Sequence, residues 1–268
     1  MQLEPVPGAP RRNAEKLAEY MGRVGADLYV YPELFLNGYT SKDLLYRYAL
    51  GLDDEPVARV AGEAAARGSW LVVGFAERAG RGLIYNSALV AGPGGVAGVY
   101  RKRHLPTFSV FDEHRWFKPG RGRLRVWGMG GLSVGVAICY DVFFPEIFRA
   151  YALLGADMVV VISASPDTSL PLFEKVLAAR ALENTVYIAW VNLPGVYGGL
   201  GFAGSSMLID PSGRVVERLR PFEEDYAVVE VDAGVLERFR RGRPVLRDAC
   251  IADAVELLRA YMEAEGMV

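Results

Sequence analysis

Apolar positions along the chain recur with two periods. Between residues 13 and 25, Leu17, Tyr20, Met21 and Val24 fall at the i, i+3, i+4, i+7 spacing of one helical face, and Gly25 ends the run. Leu28 to Tyr31 is then a short apolar run closed by Pro32, which reads as a buried strand. A second helix is predicted over 55–67, ending at Gly68, followed by a strand from Trp70 to Phe75. Tyr85 to Val90 and Val96 to Tyr100 flank GPGG at 92–95, a hairpin signal.

The second half repeats the alternation. Leu132 to Ile138 is a buried strand running straight into Cys139, and residues 145–154 read as a helix with Pro145 in its first turn. Strands are predicted over 158–162 and 186–191, with a helix over 171–184 between them. Ser205 to Ile209 and Val215 to Leu219 flank DPSG at 210–213, a second hairpin. A last strand is predicted over 226–231 and a C-terminal helix over 249–264. Strands alternate with helices and no linker-like or repeated segment intervenes, so residues 1–268 read as a single α/β domain with mixed sheets and helices on the outer faces. Residues 105–131 carry weak periodicity and many aromatic, charged and Gly residues, the profile of a functional loop.

Composition narrows the function classes. The 268 residues are 51% hydrophobic and 23% charged, with 30 basic and 32 acidic side chains for a net charge of −2. Nothing in that balance favours nucleic acid or an anionic membrane as a partner. No apolar run reaches the roughly 18–20 residues that span a bilayer. MQLEPVPGAPRRN lacks the apolar stretch of a signal peptide. Two distant cysteines, Cys139 and Cys250, fit a reducing, cytoplasmic setting. One Gln, five Asn and an excess of Arg over Lys suit a thermophilic source or a GC-rich genome.

Four residues carry candidate chemistry. Cys139 ends an apolar strand and precedes a helix, which suits a nucleophile at a strand-to-helix turn and equally suits a buried structural cysteine. Glu33, in YVYPELFLNGY, is a carboxylate in apolar company; burial there would raise its pKa and make it a base, or it is a structural acid. Lys102 sits in VYRKRHLP, where the alternative is a solvated basic cluster, and Glu113 in VFDEHRWFKPG, where it is an ordinary surface acid. His104 and His114 are the only histidines, and neither has an evident Asn or Asp orienter for a Cys–His pair. Cys and His do not fall at metal-ligand spacing. GPGG and GVYGGLGFAG are Gly-rich but match no nucleotide-binding fingerprint. No cofactor is implied.

In their order, YPELFLNGY, YRKRHLP, FDEHRWFKPG and GVAICYDVFFPEIFR resemble the nitrilase, or carbon–nitrogen hydrolase, superfamily across about residues 2–230. The resemblance implies a four-layer αββα sandwich and a Glu–Lys–Cys triad, which by motif falls on Glu33, Lys102 and Cys139, with Glu113 matching the second glutamate. It implies an amidase: Cys139 attacks an amide carbonyl with Glu33 as general base, Lys102 and the Tyr140 N–H stabilise the oxyanion, and Glu113 positions Lys102 or the substrate. The Lys102 ammonium is expected to favour the thiolate.

GYTSKDLLYR, LPTFSVFDEHRWF, SASP and FAGSS followed by MLIDPSG look like the glutaminase domain of glutamine-dependent NAD synthetase. On that likeness Phe108 is an aromatic near the substrate and Ser165 lies in the glutamine pocket. Three departures stand against a plain transfer. The chain carries no synthetase half, so a glutaminase subunit would serve a separate synthetase. The run after SASP is DTSLPLFEK, without the basic partner that an α-carboxylate wants, and CYDVFFPE is closer to general amidases. Family members also begin with a strand that Met1–Pro5 only finishes, so an upstream start is expected. A catalytically silent binding member is the third reading. The resemblance further implies a homodimer or higher homo-oligomer, with residues 249–264 as an arm carrying Ala252, Val255, Leu257, Leu258 and Met262.

Overall fold

The computed structural model describes residues 1–39 and 44–267; Thr40 to Asp43, within the GYTSKDLLYR motif, lie outside the described residues. Two sheets face each other. The first runs in the order β1 (Leu28–Val30), β2 (Trp70–Arg78), β3 (Ile84–Gly92), β4 (Gly95–Arg101). β1 is parallel to β2, while β2–β3 and β3–β4 are antiparallel. The second sheet has the spatial order β12 (Val215–Arg218), β11 (Met207–Ile209), β8 (Tyr187–Asn192), β7 (Met158–Ser163), β6 (Leu132–Ile138), β5 (Trp127–Met129). Its central strands β6, β7 and β8 are parallel, with Val134 opposite Met158 and Val161 opposite Trp190.

Helices cover the outer faces, giving the mixed-sheet αββα layering. Helix α1 (Pro10–Arg23) starts at a first-turn proline and buries Ala14, Leu17 and Met21, the face that the apolar spacing marks. With α3 (Glu55–Ala66) it packs on the outside of the first sheet, against Tyr31, Leu71, Val73 and Leu89. Helices α4 (Pro145–Leu153) and α5 (Leu170–Asn184) do the same for the second sheet. Between the sheets, Val30, Val72, Val90 and Tyr100 meet Val134, Val136, Val160 and Trp190 in one core. Both faces of β3 and of β7 are buried, which is why they read as continuous apolar runs rather than alternating ones.

The remaining helices are α2 (Leu45–Tyr48), α6 (Ala233–Gly242), α7 (Val245–Asp248) and α8 (Ile251–Ala264). Helix α6 begins where the Asp232 carboxylate accepts the Gly234 N–H at 2.7 Å, a cap that the apolar pattern alone does not disclose. The Gly-rich run at 195–204 is a hairpin: β9 (Pro194–Tyr197) pairs antiparallel with β10 (Leu200–Ala203) across Gly198 and Gly199, both at positive φ as a two-residue turn requires. Among the described residues no helix is long and apolar enough to cross a membrane.

One expectation differs from the structure. The strand predicted over 226–231 is not paired into either sheet; Asp225 alone bridges Gln2, each N–H meeting the other's carbonyl at 2.9 Å. Beyond that bridge, residues 227–231 line a groove of about 540 Å³ that Leu28, Val30, Trp190, Met207 and Leu208 also line. A strand forms only when its ladder groups find partners, and the space where a partner would lie is this groove. β1 is likewise at the edge of its sheet, paired with β2 alone. Helix α8, whose apolar side could have packed within the chain, has no buried residue: Ile251 is 82% and Leu258 58% exposed.

Candidate active site

The two sheets bring four strand ends to one place. β1 leads through Tyr31–Pro32 to Glu33, β4 delivers Lys102, β6 ends at Cys139, and β7 leads to Ala164 and Ser165. Strand carboxyl ends are where open α/β sheets gather reactive groups. Glu113 comes from a one-turn helix, Glu113–Arg115, inside the long 105–131 loop.

Local backbone features hold these positions. Gly74 on β2 lies against the Glu33 turn so closely that a Cβ there would come within 2.3 Å of the Leu34 nitrogen and 2.6 Å of the Glu33 Cα. Leu34 itself has φ +53 and Cys139 φ +47, left-handed values that a side chain adopts only when its surroundings enforce them. Cys139 thereby turns its thiol off the strand end, as a nucleophile elbow does. The N–H of Tyr140 follows in the one-turn helix Cys139–Phe143.

The polar geometry centres on Lys102. Its Nζ donates to Glu33 Oε1 at 2.8 Å and to Glu113 Oε1 at 2.7 Å, and its side chain is fully buried. Glu33 is equally buried; its Oε1 also accepts from Asn86 Nδ2 at 2.7 Å and its Oε2 from the Ala164 N–H at 2.8 Å. The carboxylate is thus fixed by donors from three strands or their ends, β3, β4 and β7. Among the described residues, the Glu113 Oε2 and Asn86 Oδ1 atoms are buried without a hydrogen-bond partner.

Charges in this pocket shift one another. For Lys102, burial opposes the charge, but Glu113, Glu33 and Cys139 together raise its pKa well above the ordinary lysine value, so it is an ammonium. Burial, with Glu33 adding to it and Lys102 opposing, lifts Glu113 to about 7. The Cys139 thiol is pushed well up, by burial first and then by Glu33, with Lys102 pulling the other way. That corrects the expectation of a thiolate favoured by Lys102: the resting group is a thiol, because burial, reinforced by the Glu33 carboxylate, outweighs the Lys102 ammonium. Tyr39 feels the same field; burial, Glu113 and Glu33 raise its hydroxyl pKa, so it remains a proton donor.

The other sequence candidates distribute as follows. Phe108 is half exposed and its ring lies 5.2 Å from that of Tyr140, at the rim of the elbow. Ser165 is buried, with its N–H donating to Asn192 Oδ1 at 2.8 Å and its carbonyl accepting from Asn192 Nδ2 at 3.3 Å. Lys102 and Glu113 are not the solvated surface groups that the alternative readings allow. His104 does have an orienter: its Nδ1 lies 3.0 Å from Asp141 Oδ1, and its ring stacks on Phe144, away from a Cys–His pairing. Cys250 is exposed and caps α8.

Asn86, Asp141, Tyr39 and the Ala164 N–H are site components that reading the sequence did not single out. A signal existed for Asn86, a polar residue inside the wholly buried strand β3. Ala164 contributes only a backbone group, which no side-chain pattern reveals.

The family model "Carbon-nitrogen hydrolase" matches residues 2–241. A protein described as "Nitrilase" from Pyrococcus abyssi is 37% identical over 87% of this chain and 88% of its own. A glutamine-dependent NAD(+) synthetase from Xanthomonas campestris is 36% identical over 85% of this chain, which spans only 42% of that relative. Among solved structures, a variant of the amidase from Nesterenkonia sp. AN1, described with acrylamide added to its active site cysteine, superposes with a TM-score of 0.76 at 31% identity, covering 90% of this chain and 95% of that one.

Proposed function

The chain belongs to the carbon–nitrogen hydrolase family, whose members act on C–N bonds, and from that premise we propose that it is an amidase releasing ammonia from a small linear amide. The observation that carries the reading is the buried Glu33–Lys102–Glu113 chain of hydrogen bonds at 2.8 and 2.7 Å, whose charges act on the Cys139 thiol.

In the proposed reaction Cys139 Sγ attacks the amide carbonyl carbon while Glu33 accepts the thiol proton, which a resting thiol requires. The carbonyl oxygen gains the negative charge, and Lys102 Nζ with the Tyr140 N–H stabilises it. Glu33 returns the proton to the nitrogen as the C–N bond breaks, and ammonia leaves a thioester on Cys139. Water, deprotonated by Glu33, attacks the thioester; the C–S bond breaks, the acid leaves and the thiol is restored. Glu113 holds Lys102 in place.

A glutaminase subunit feeding a separate NAD synthetase is the second reading, favoured by the likeness to the synthetase relative. Against it, the one-turn helix after SASP, Asp167–Ser169, carries no basic side chain to pair an α-carboxylate. A silent binding member is disfavoured by the intact acid, base and thiol set. The test is ammonia release from glutamine, asparagine, a carbamoyl amine and ω-amides of dicarboxylates. Turnover of a non-glutamine amide supports the first reading. Release from glutamine alone favours the second, and no turnover with an iodoacetamide-inert Cys139 favours the third.

A further inference from the structure

Asp141 sits two residues after the elbow, is fully buried, and takes no part in the reaction described above. Its carboxylate collects donors from both sheets. Oδ2 accepts the Tyr100 hydroxyl at 2.8 Å and the Ile138 N–H at 3.2 Å. Oδ1 accepts the His104 N–H at 2.9 Å and the Arg103 N–H at 3.2 Å, and faces His104 Nδ1 at 3.0 Å. Ile138 immediately precedes Cys139; Arg103 and His104 immediately follow Lys102, and Tyr100 lies two residues before it.

We propose that Asp141 is the positioning residue that fixes Lys102 relative to Cys139, by tying the end of β4 to the elbow at the end of β6. One rigid carboxylate bonds backbone on both sides of the gap between the sheets, so the separation of nucleophile and ammonium is set by the bite of Asp141 and not by side-chain rotamers. Hydrogen bonds to an ionised acceptor are the short, directional kind suited to this. The Ile138 bond also spans the left-handed Cys139 residue, restraining the turn that aims the thiol. The His104 ring, stacked at 3.4 Å on Phe144, which in turn lies edge-on to Tyr140, carries the same anchorage toward the residue that presents the oxyanion N–H.

This inference rests on the roles proposed for Cys139 and Lys102, and its test separates the two. Asp141→Asn replaces one acceptor oxygen by a donor, which opposes N–H or O–H groups on either side. The full chain carrying Asp141→Asn is expected to remain folded by circular dichroism and to lose roughly 10–100-fold in kcat with KM changed less than about threefold, the pattern of a displaced geometry. Its Cys139 alkylation by iodoacetamide is expected to shift to higher pH, because the Lys102 ammonium that pulls the thiol down no longer sits at its set separation. Tyr100→Phe, which removes one donor and keeps the carboxylate, is expected to move both readouts in the same direction by a smaller factor, and it decides the matter if Asp141→Asn does not fold. Unchanged kcat, or a loss of kcat with an unchanged alkylation profile, overturns the inference. If Cys139→Ala retains turnover, the proposed function fails first; if it is inactive while Asp141→Asn and Tyr100→Phe behave as the parent, only this inference fails.

Discussion

Lys102 Nζ lies 2.8 Å from Glu33 Oε1, and neither side chain is reached by solvent. A buried cation between two carboxylates stays charged because it is paired, and each partner depends on the others. Lys102→Met removes the oxyanion donor and leaves two acids facing each other. Turnover is expected to fall by about 10²–10³ or more, and the melting temperature should drop as well, since removing one partner of a buried pair costs about 3–5 kcal/mol. Steady-state ammonia release and a thermal melt measure the two effects.

The pH dependence follows from Glu113, which burial lifts to about 7. Its ionised form is the one that pairs with Lys102, so kcat/KM should rise with pH through about 7. Stability carries the opposite sign. The folded state holds this proton more tightly than the unfolded chain does, so the contribution is complete below the usual carboxylate range and is lost as pH rises toward about 7. Glu113→Gln should remove the limb near 7 from the rate profile, and should lose less stability than the parent between pH 5 and 8.

Helix α8 exposes Ile251, Val255, Leu257, Leu258 and Tyr261, and it touches α4 where the Tyr261 hydroxyl donates to Glu146 at 2.7 Å. An apolar helix face of this kind is suited to a second copy of the chain, in a two-fold arrangement. Light scattering should give a dimer or larger, and Ile251→Glu with Leu258→Glu should lower the mass toward the monomer without loss of the fold. A monomeric parent contradicts the homo-oligomer expectation.

Much of this was legible before the structure. The apolar runs ending at Tyr31, Tyr100 and Ile138 marked the strand ends that lead to Glu33, Lys102 and Cys139, because buried strands announce themselves by continuous hydrophobicity. The segment 226–231 carries the same signal and is unpaired, since periodicity reports a residue's preference and not whether a neighbour is present. Helix α6 was hidden by a polar surface and a capping Asp232. The Ala164 N–H was invisible for a different reason: it acts through backbone. Asp141 followed Cys139 in plain view, but its donors come from Tyr100, Arg103, His104 and Ile138, which only the pairing of two sheets brings together.

In the proposed reaction the attacking atom is Cys139 Sγ. Ammonia release from the amide panel by the parent and by Cys139→Ala, at equal concentration and confirmed fold, tests this most directly. Turnover by the parent with none above background in Cys139→Ala is the predicted result; a variant that releases ammonia at the parent's rate contradicts it.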